Sequence, residues 1–220
     1  MSLLERRTIP NVITLARVSM APAVFVLALA EGFTPRLLAF LLFAVAAISD
    51  LWDGYLARKH GWISDFGKLM DPLADKLLLV ATFIPFYVIS HRPGPISELP
   101  YWGELPLWVL IVVFGRELLV TAVRQVAARR GQVIPAGRAG KYKAFIQNVF
   151  SGAALLWYAL QEAARDHGWG SAFWEGWQSL LHGPVIGLTL LVAILLTVYS
   201  MVVYFLGWNR SWRQTSEPGR

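Results

Sequence analysis

Cysteine is absent from the 220-residue chain. Disulfide scaffolds and thiolate metal sites are therefore excluded, and cysteine usage says nothing about the redox compartment. Charge is scarce too: 15% of residues are charged against 56% hydrophobic, with a mean hydropathy of +0.50. Ordinary soluble domains carry about 25% charged residues, so this composition belongs with multi-pass membrane proteins. No linker, low-complexity tract or internal repeat interrupts the sequence, which reads as one membrane-embedded domain over residues 1–220. Several catalytic signatures are also missing. Gly61 to Lys68 holds a glycine pair ahead of a lysine, but the spacing is not that of a P-loop and no Ser or Thr follows. His60, His91, His167 and His182 are scattered without zinc-protease spacing, and no serine sits in a nucleophile elbow. A covalent enzyme intermediate is unnecessary, and direct attack of one substrate on another is the simpler chemistry.

What the chain does have is apolar sequence of membrane length. Six spans fall at roughly 11–31, 36–58, 73–91, 105–128, 143–164 and 184–207, each near the ~20 residues that cross a bilayer. The expected fold is an all-α integral membrane bundle of six transmembrane helices. A short basic juxtamembrane segment, Met1–Pro10, would lie along the membrane surface ahead of it. Net charge is +6, and its distribution is informative: of 20 Lys and Arg, fifteen fall on one side of these spans. Arg36, Arg92 and Arg165 fall on the other side, and Arg17 and Arg116 lie inside spans. The positive-inside rule then places both termini and the 58–76 hairpin in the cytoplasm. Basic residues spread over membrane-flanking loops argue against nucleic acid and for anionic lipid or phosphate ligands.

Some features have bland explanations. Arg6, Arg7 and Ala28-Leu-Ala30 resemble a signal peptide, but Asn11, Thr14 and Arg17 interrupt its apolar core on one helical face. The outer loops 92–104 and 167–178 are rich in Pro and Trp. They read as an interfacial aromatic belt before they read as lipid recognition. Asn209-Arg-Ser211 has the glycosylation pattern but falls on the inner side.

Four aspartates carry the chemistry. Asp50 and Asp53 close one apolar stretch, and Asp71 and Asp75 open the next. A carboxylate at the centre of a membrane helix costs ~2.5–3.5 kcal/mol on insertion scales, so packing does not select four of them. Asp50 and Asp53 are i, i+3 and share a helix face; Asp71 and Asp75 are i, i+4 and share another. Gly54 and Ala57 remove bulk near the first pair, and Arg58 ends that helix at the surface. Residues 59–70 read as a turn broken by Gly61 and Gly67, with Pro72 in the first turn of the following helix. An antiparallel hairpin would set the two pairs side by side. Hard cations such as Mg²⁺ or Ca²⁺ prefer all-oxygen sites. Two such ions would neutralise the −4 charge and bridge a diphosphate, the electrostatics of two-metal phosphoryl chemistry. One carboxylate must take the proton of an attacking hydroxyl; Asp75, deepest along its helix, is assigned that role. Single aspartates have structural readings, such as Asp71 as a helix N-cap or Asp50 as a cap or salt bridge within a bundle. A divalent-cation or proton transporter also uses buried carboxylates.

The spacing D-x2-D-G-x2-A-R-x8-G-x3-D-x3-D is met by Asp50, Asp53, Gly54, Ala57, Arg58, Gly67, Asp71 and Asp75. It resembles the signature of the CDP-alcohol phosphotransferase family. That resemblance implies six transmembrane helices, a homodimer, and two Mg²⁺ ions per site, with Mn²⁺ or Ca²⁺ as alternatives. It implies displacement of CMP from a CDP-linked donor by an alcohol. Asp50, Asp53, Asp71 and Asp75 would hold the metals, Asp75 would also be the base, and Gly54, Ala57, Arg58 and Gly67 would meet the CDP moiety together with Asp50 and Asp53. Three further stretches, Pro10 to Arg17, Arg116 to Arg124 and Gly140 to Gln147, are similar to a bacterial branch that uses sn-glycerol 3-phosphate as acceptor. The implied donor is CDP-diacylglycerol, and the implied location is the bacterial cytoplasmic membrane. Inositol phosphate or serine are the alternative acceptors.

A dianionic acceptor needs cations. Arg116 lies within an apolar span; adjacent Glu117 is expected to point elsewhere, leaving a phosphate or an aspartate as its partner. With Arg124, Lys141 and Lys143 it would form a basic pocket, Arg forks being suited to phosphate. Asn11, Thr14 and Arg17 are expected to support the site. Positive-inside topology and snorkelling explain Arg129, Arg130 and Arg138 without a function.

Overall fold

The computed structural model describes residues 3–60, 65–94, 96–129, 138–170 and 172–216. Side chains of residues 3–10, 51, 53–60, 65–69, 138, 181 and 208–216 lie outside the described set. Every regular element among the described residues is helical: α1 Leu3–Leu29, α2 Phe33–His60, α3 Asp65–Ser90, α4 Leu107–Arg129, α5 Arg138–His167, a short α6 Ala172–Gly176, and α7 Gly183–Ser216. A π-helical stretch, Trp177–His182, joins α6 to α7. The six long helices correspond to the six expected spans, and the protein is an all-α integral membrane protein.

Four segments are apolar and long enough to cross a membrane by length and composition: Asn11–Leu29, Phe33–Asp50, Met70–Ser90 and Ala172–Gly207. Helices α4 and α5 have the length, at 23 and 30 residues. At ~1.5 Å per residue both exceed the ~30 Å hydrocarbon core. Their hydropathy is diluted by Arg116, Glu117, Arg124 and Arg129 in α4 and by Lys141, Lys143, Glu162, Arg165 and Asp166 in α5.

Three boundaries differ from expectation. The juxtamembrane segment is not separate, because α1 runs through Pro10 as one helix. The turn between the aspartate pairs is shorter than 59–70: α2 continues to His60, and α3 starts at Asp65 with Gly67 and Pro72 inside it. Gly67 falls in the first turn, where backbone N–H groups need no intrahelical partner, and Pro72 removes one bond near that end. The Trp-rich stretch 167–178 read as a loop contains α6 and the start of the π-helical stretch. Gly168, in the left-handed region at φ 61°, ends α5 as helix C-termini commonly do.

The chain divides into two compact units, Met1–Leu105 with Ser151–Pro184 and Pro106–Phe150 with Val185–Arg220. In the first unit α1 packs against both α2 and α3. Its buried seam is Thr14, Arg17, Ala21, Val24 and Ala28. These recur every three or four residues, the spacing of one helix face, and the small alanines let neighbouring backbones approach closely. On α2 the buried positions Arg36, Ala39, Phe43 and Ala46 alternate with exposed Leu38, Leu41, Val45 and Ile48. Both faces are therefore apolar, as expected of a helix with protein on one side and lipid on the other. Two members of the α1 seam are polar, Thr14 and Arg17, and they mark the site.

In the second unit Gln147 of α5 donates to Thr197 Oγ1 of α7 at 3.3 Å, both buried. Arg124 of α4 lies over the ring of Tyr204 of α7, 5.7 Å from its centroid.

Candidate active site

Thr14 and Arg17 are one turn apart on α1, so their side chains share a face. Thr14 Oγ1 donates to Asp71 Oδ1 of α3 at 2.9 Å. Arg17 Nη1 donates to Asp50 Oδ1 of α2 and lies 3.7 Å from Asp75 Oδ1 of α3. One buried guanidinium, at 1% exposure, thus joins a carboxylate from each pair. Asn11, a further turn back, is half-buried on the same helix. The carboxylates are more open than the arginine: the side chains of Asp50 and Asp75 are 37% and 63% exposed. The site is therefore a buried cation beneath more exposed carboxylates.

Asp53, Gly54, Ala57 and Arg58 belong to the last turns of α2, and Gly67 to the first turn of α3. Their side chains lie outside the described residues. Among the described residues no three acidic or imidazole side chains converge to hold an ion. The donor chemistry nonetheless fits a hard divalent cation: Asp50, Asp71 and Asp75 offer carboxylate oxygens only, from two helices clamped by the same α1 face. The residues that would hold it are those three with Asp53.

The basic candidates belong to the second unit. There Glu117 does not point away from Arg116, contrary to expectation. Its Oε1 accepts from Arg116 Nη1 at 2.9 Å and from Lys143 Nζ. Adjacent residues differ by ~100° around a helix axis, but both side chains are long enough to bend together. In an apolar span a carboxylate between two cations costs far less than three separate charges. Arg116 Nε also donates to Ser200 Oγ of α7 at 3.2 Å. A Cβ on Gly140 would stand 3.4 Å from Arg116 Nη2, so this glycine gives the guanidinium room at the start of α5. Arg116 and Lys143 are thus brought together through Glu117. Arg124, which stacks on Tyr204, and exposed Lys141 take no part in that network among the described residues.

A second ionic cluster joins Arg36 and Arg165, which the sequence pattern places only among the outer-side charges. Arg36 Nη1 lies 2.9 Å from Glu162 Oε1, and Arg165 Nη2 lies 2.8 Å from Glu162 Oε2. Arg36 also donates to the Ala30 carbonyl at 3.1 Å and lies over the Tyr158 ring. The only sequence signal was Glu162 itself, an acidic residue within an expected span.

Carboxylates from two apolar helices, braced by one buried arginine, make this a helical membrane protein with an acidic site between helices. The family model described as CDP-alcohol phosphatidyltransferase matches residues 7–199, and the chain belongs to that family. Among relatives, "CDP-diacylglycerol--glycerol-3-phosphate 3-phosphatidyltransferase" of Bacillus subtilis is 32% identical over 216 residues, 93% of this chain and 95% of that protein. "Probable phosphatidylglycerophosphate synthase" of Mycobacterium tuberculosis is 40% identical over 150 residues, 66% of this chain. The chain spans 65% of the length of that mycobacterial relative. A chloroplastic/mitochondrial enzyme of Arabidopsis thaliana, also named for glycerol-3-phosphate, is 36% identical over 148 residues, 64% of this chain and 48% of its own length.

Proposed function

We propose that this protein transfers the phosphatidyl group from CDP-diacylglycerol to sn-glycerol 3-phosphate, giving phosphatidylglycerol phosphate and CMP. The observation that carries the reading is the bracing of Asp50 and Asp75 by one arginine, with Asp71 held by Thr14 beside it. The names of relatives that align along most of the chain support the choice of donor and acceptor. Asp75 takes the proton of the acceptor's 1-hydroxyl. That oxygen attacks the phosphorus bearing the diacylglycerol; the bond from this phosphorus to the CMP oxygen breaks, and CMP leaves with the electron pair. Bound Mg²⁺, at Asp50, Asp53, Asp71 and Asp75, would supply charge neutralisation for the diphosphate. Arg58 would meet the CDP phosphates. Arg116 and Lys143, held as a pair by Glu117, are the acceptor-phosphate cations, with Arg124 and Lys141 in the same role. Much of the rate then comes from positioning and preorganised charge.

The setting belongs to the same proposal: a homodimer in a bacterial cytoplasmic membrane, with termini and site on the cytoplasmic side, where basic residues gather. The test is CMP release by purified protein from CDP-diacylglycerol against glycerol 3-phosphate, inositol phosphate and serine. Release with glycerol 3-phosphate alone is expected; release only with another alcohol would move the protein to a different acceptor. EDTA should abolish release and Mg²⁺ restore it. Arg116→Ala should raise the KM for glycerol 3-phosphate at least about tenfold, the scale of one charge-assisted phosphate contact. The donor KM should change much less. An unchanged acceptor KM would remove Arg116 from the pocket.

A further inference from the structure

We propose that Arg17 is the resident counter-cation of the aspartate site, a positioning residue that holds Asp50 and Asp75 together and limits how tightly a divalent ion binds them. The inference rests on the metal-assisted reading above and goes beyond it in giving α1 a defined task. Arg17 is a member of the buried α1 seam, yet its guanidinium reaches carboxylates on both other helices of that cluster. Burial at 1% exposure puts the arginine's charge in fixed position, whereas the carboxylates it meets are 37% and 63% exposed. Any cation entering from the solvent side meets oxygens that already have a positive neighbour.

Thr14 and Arg17 therefore act with opposite sign. Thr14 orients Asp71 through a neutral hydrogen bond. Removing such an outer partner typically weakens metal binding about 10–100-fold. Arg17 also orients its carboxylates, but it adds a unit charge about as close to them as an entering ion would be. Like-charge repulsion at such short range outweighs the loss of one oriented bond. Deleting the charge should tighten metal binding even though it loosens the helices.

The experiment measures Mn²⁺ binding by electron paramagnetic resonance on the purified full chain in detergent, without either substrate. Thermal unfolding in EDTA and in excess Mg²⁺ accompanies it. Arg17→Gln is expected to bind Mn²⁺ about tenfold or more tightly than wild type, Arg17→Lys to stay near wild type, and Thr14→Val to bind more weakly. In EDTA, Arg17→Gln should unfold at lower temperature than wild type and Arg17→Lys, and excess Mg²⁺ should close that gap. Equal or weaker Mn²⁺ binding by Arg17→Gln overturns the proposal, as does equal tightening in the Gln and Lys variants. Failure of the wild type to bind Mn²⁺ at all would instead count against the metal-assisted reading. The EDTA unfolding comparison would then decide alone whether Arg17 holds the two helices: unchanged stability in Arg17→Gln refutes it.

Discussion

Asp75→Asn should abolish CMP release, with a loss of about 10³-fold or more, the scale of a positioned general base. Asparagine keeps the size of the side chain and one oxygen. It cannot take a proton from the acceptor hydroxyl, and it lacks the negative charge that Arg17 meets at 3.7 Å. Because the Asp75 side chain is 63% exposed, the substitution creates no cavity, and buried Arg17 keeps its shorter bond to Asp50. Thermal unfolding should stay close to wild type, so lost turnover would not be lost protein. Asp50 remains to pair with Arg17, and Asp71 remains on Thr14. Binding of CDP-diacylglycerol, followed by displacement of a labelled CDP-lipid, should accordingly persist. Turnover near the wild-type rate would show that another group takes the proton. Loss of donor binding together with turnover would make Asp75 a ligand first and a base second.

How the aspartates are held was partly legible in the sequence. Their spacing gives two pairs, each on one helix face, and the apolar runs on either side give the helices. The role of α1 was visible only as polarity at Asn11, Thr14 and Arg17 in an otherwise apolar span. Which of them meets which aspartate depends on how α1 lies against α2 and α3, and no local pattern records that. The start of α3 differs from expectation because Gly67 reads as a breaker and Pro72 as a first-turn residue, whereas α3 begins at Asp65. Yet a helix N-terminus tolerates each, having backbone donors to spare. The Glu117 pairing was missed for a different reason. Helix periodicity separates neighbours in angle, but a low-dielectric surrounding rewards charge pairing more strongly than periodicity opposes it. Side chains at Asp53, Gly54, Ala57, Arg58 and Gly67 remain expectations from the motif.

The Arg36 cluster predicts the largest stability effects away from the site. Arg36 and Glu162 are 4% and 2% exposed, whereas the Arg165 side chain is 50% exposed. Removing one partner of a buried pair costs ~3–5 kcal/mol, because the other charge is left without compensation. The three members should not be equivalent. Glu162→Leu strands Arg36 between an apolar helix and the Tyr158 ring and should lose about that full amount. Arg36→Met leaves Glu162 its contact with Arg165 at 2.8 Å and should cost less. Arg165→Met should cost about 0–1 kcal/mol, as exposed ion pairs do. The double variant Arg36→Met with Glu162→Leu should recover much of the Glu162→Leu loss, since apolar replacement of a whole buried pair is often neutral. Thermal unfolding of the four variants in one detergent gives the order directly. A double variant as unstable as the sum of the singles would mean that Arg36 and Glu162 are not energetically coupled, and would refute the buried-pair account. Arg36 and Asp50 are fourteen residues apart on α2, or ~21 Å along the helix. CMP release per folded molecule should therefore change little in all four, which separates the brace at one end of this helix from the chemistry at the other.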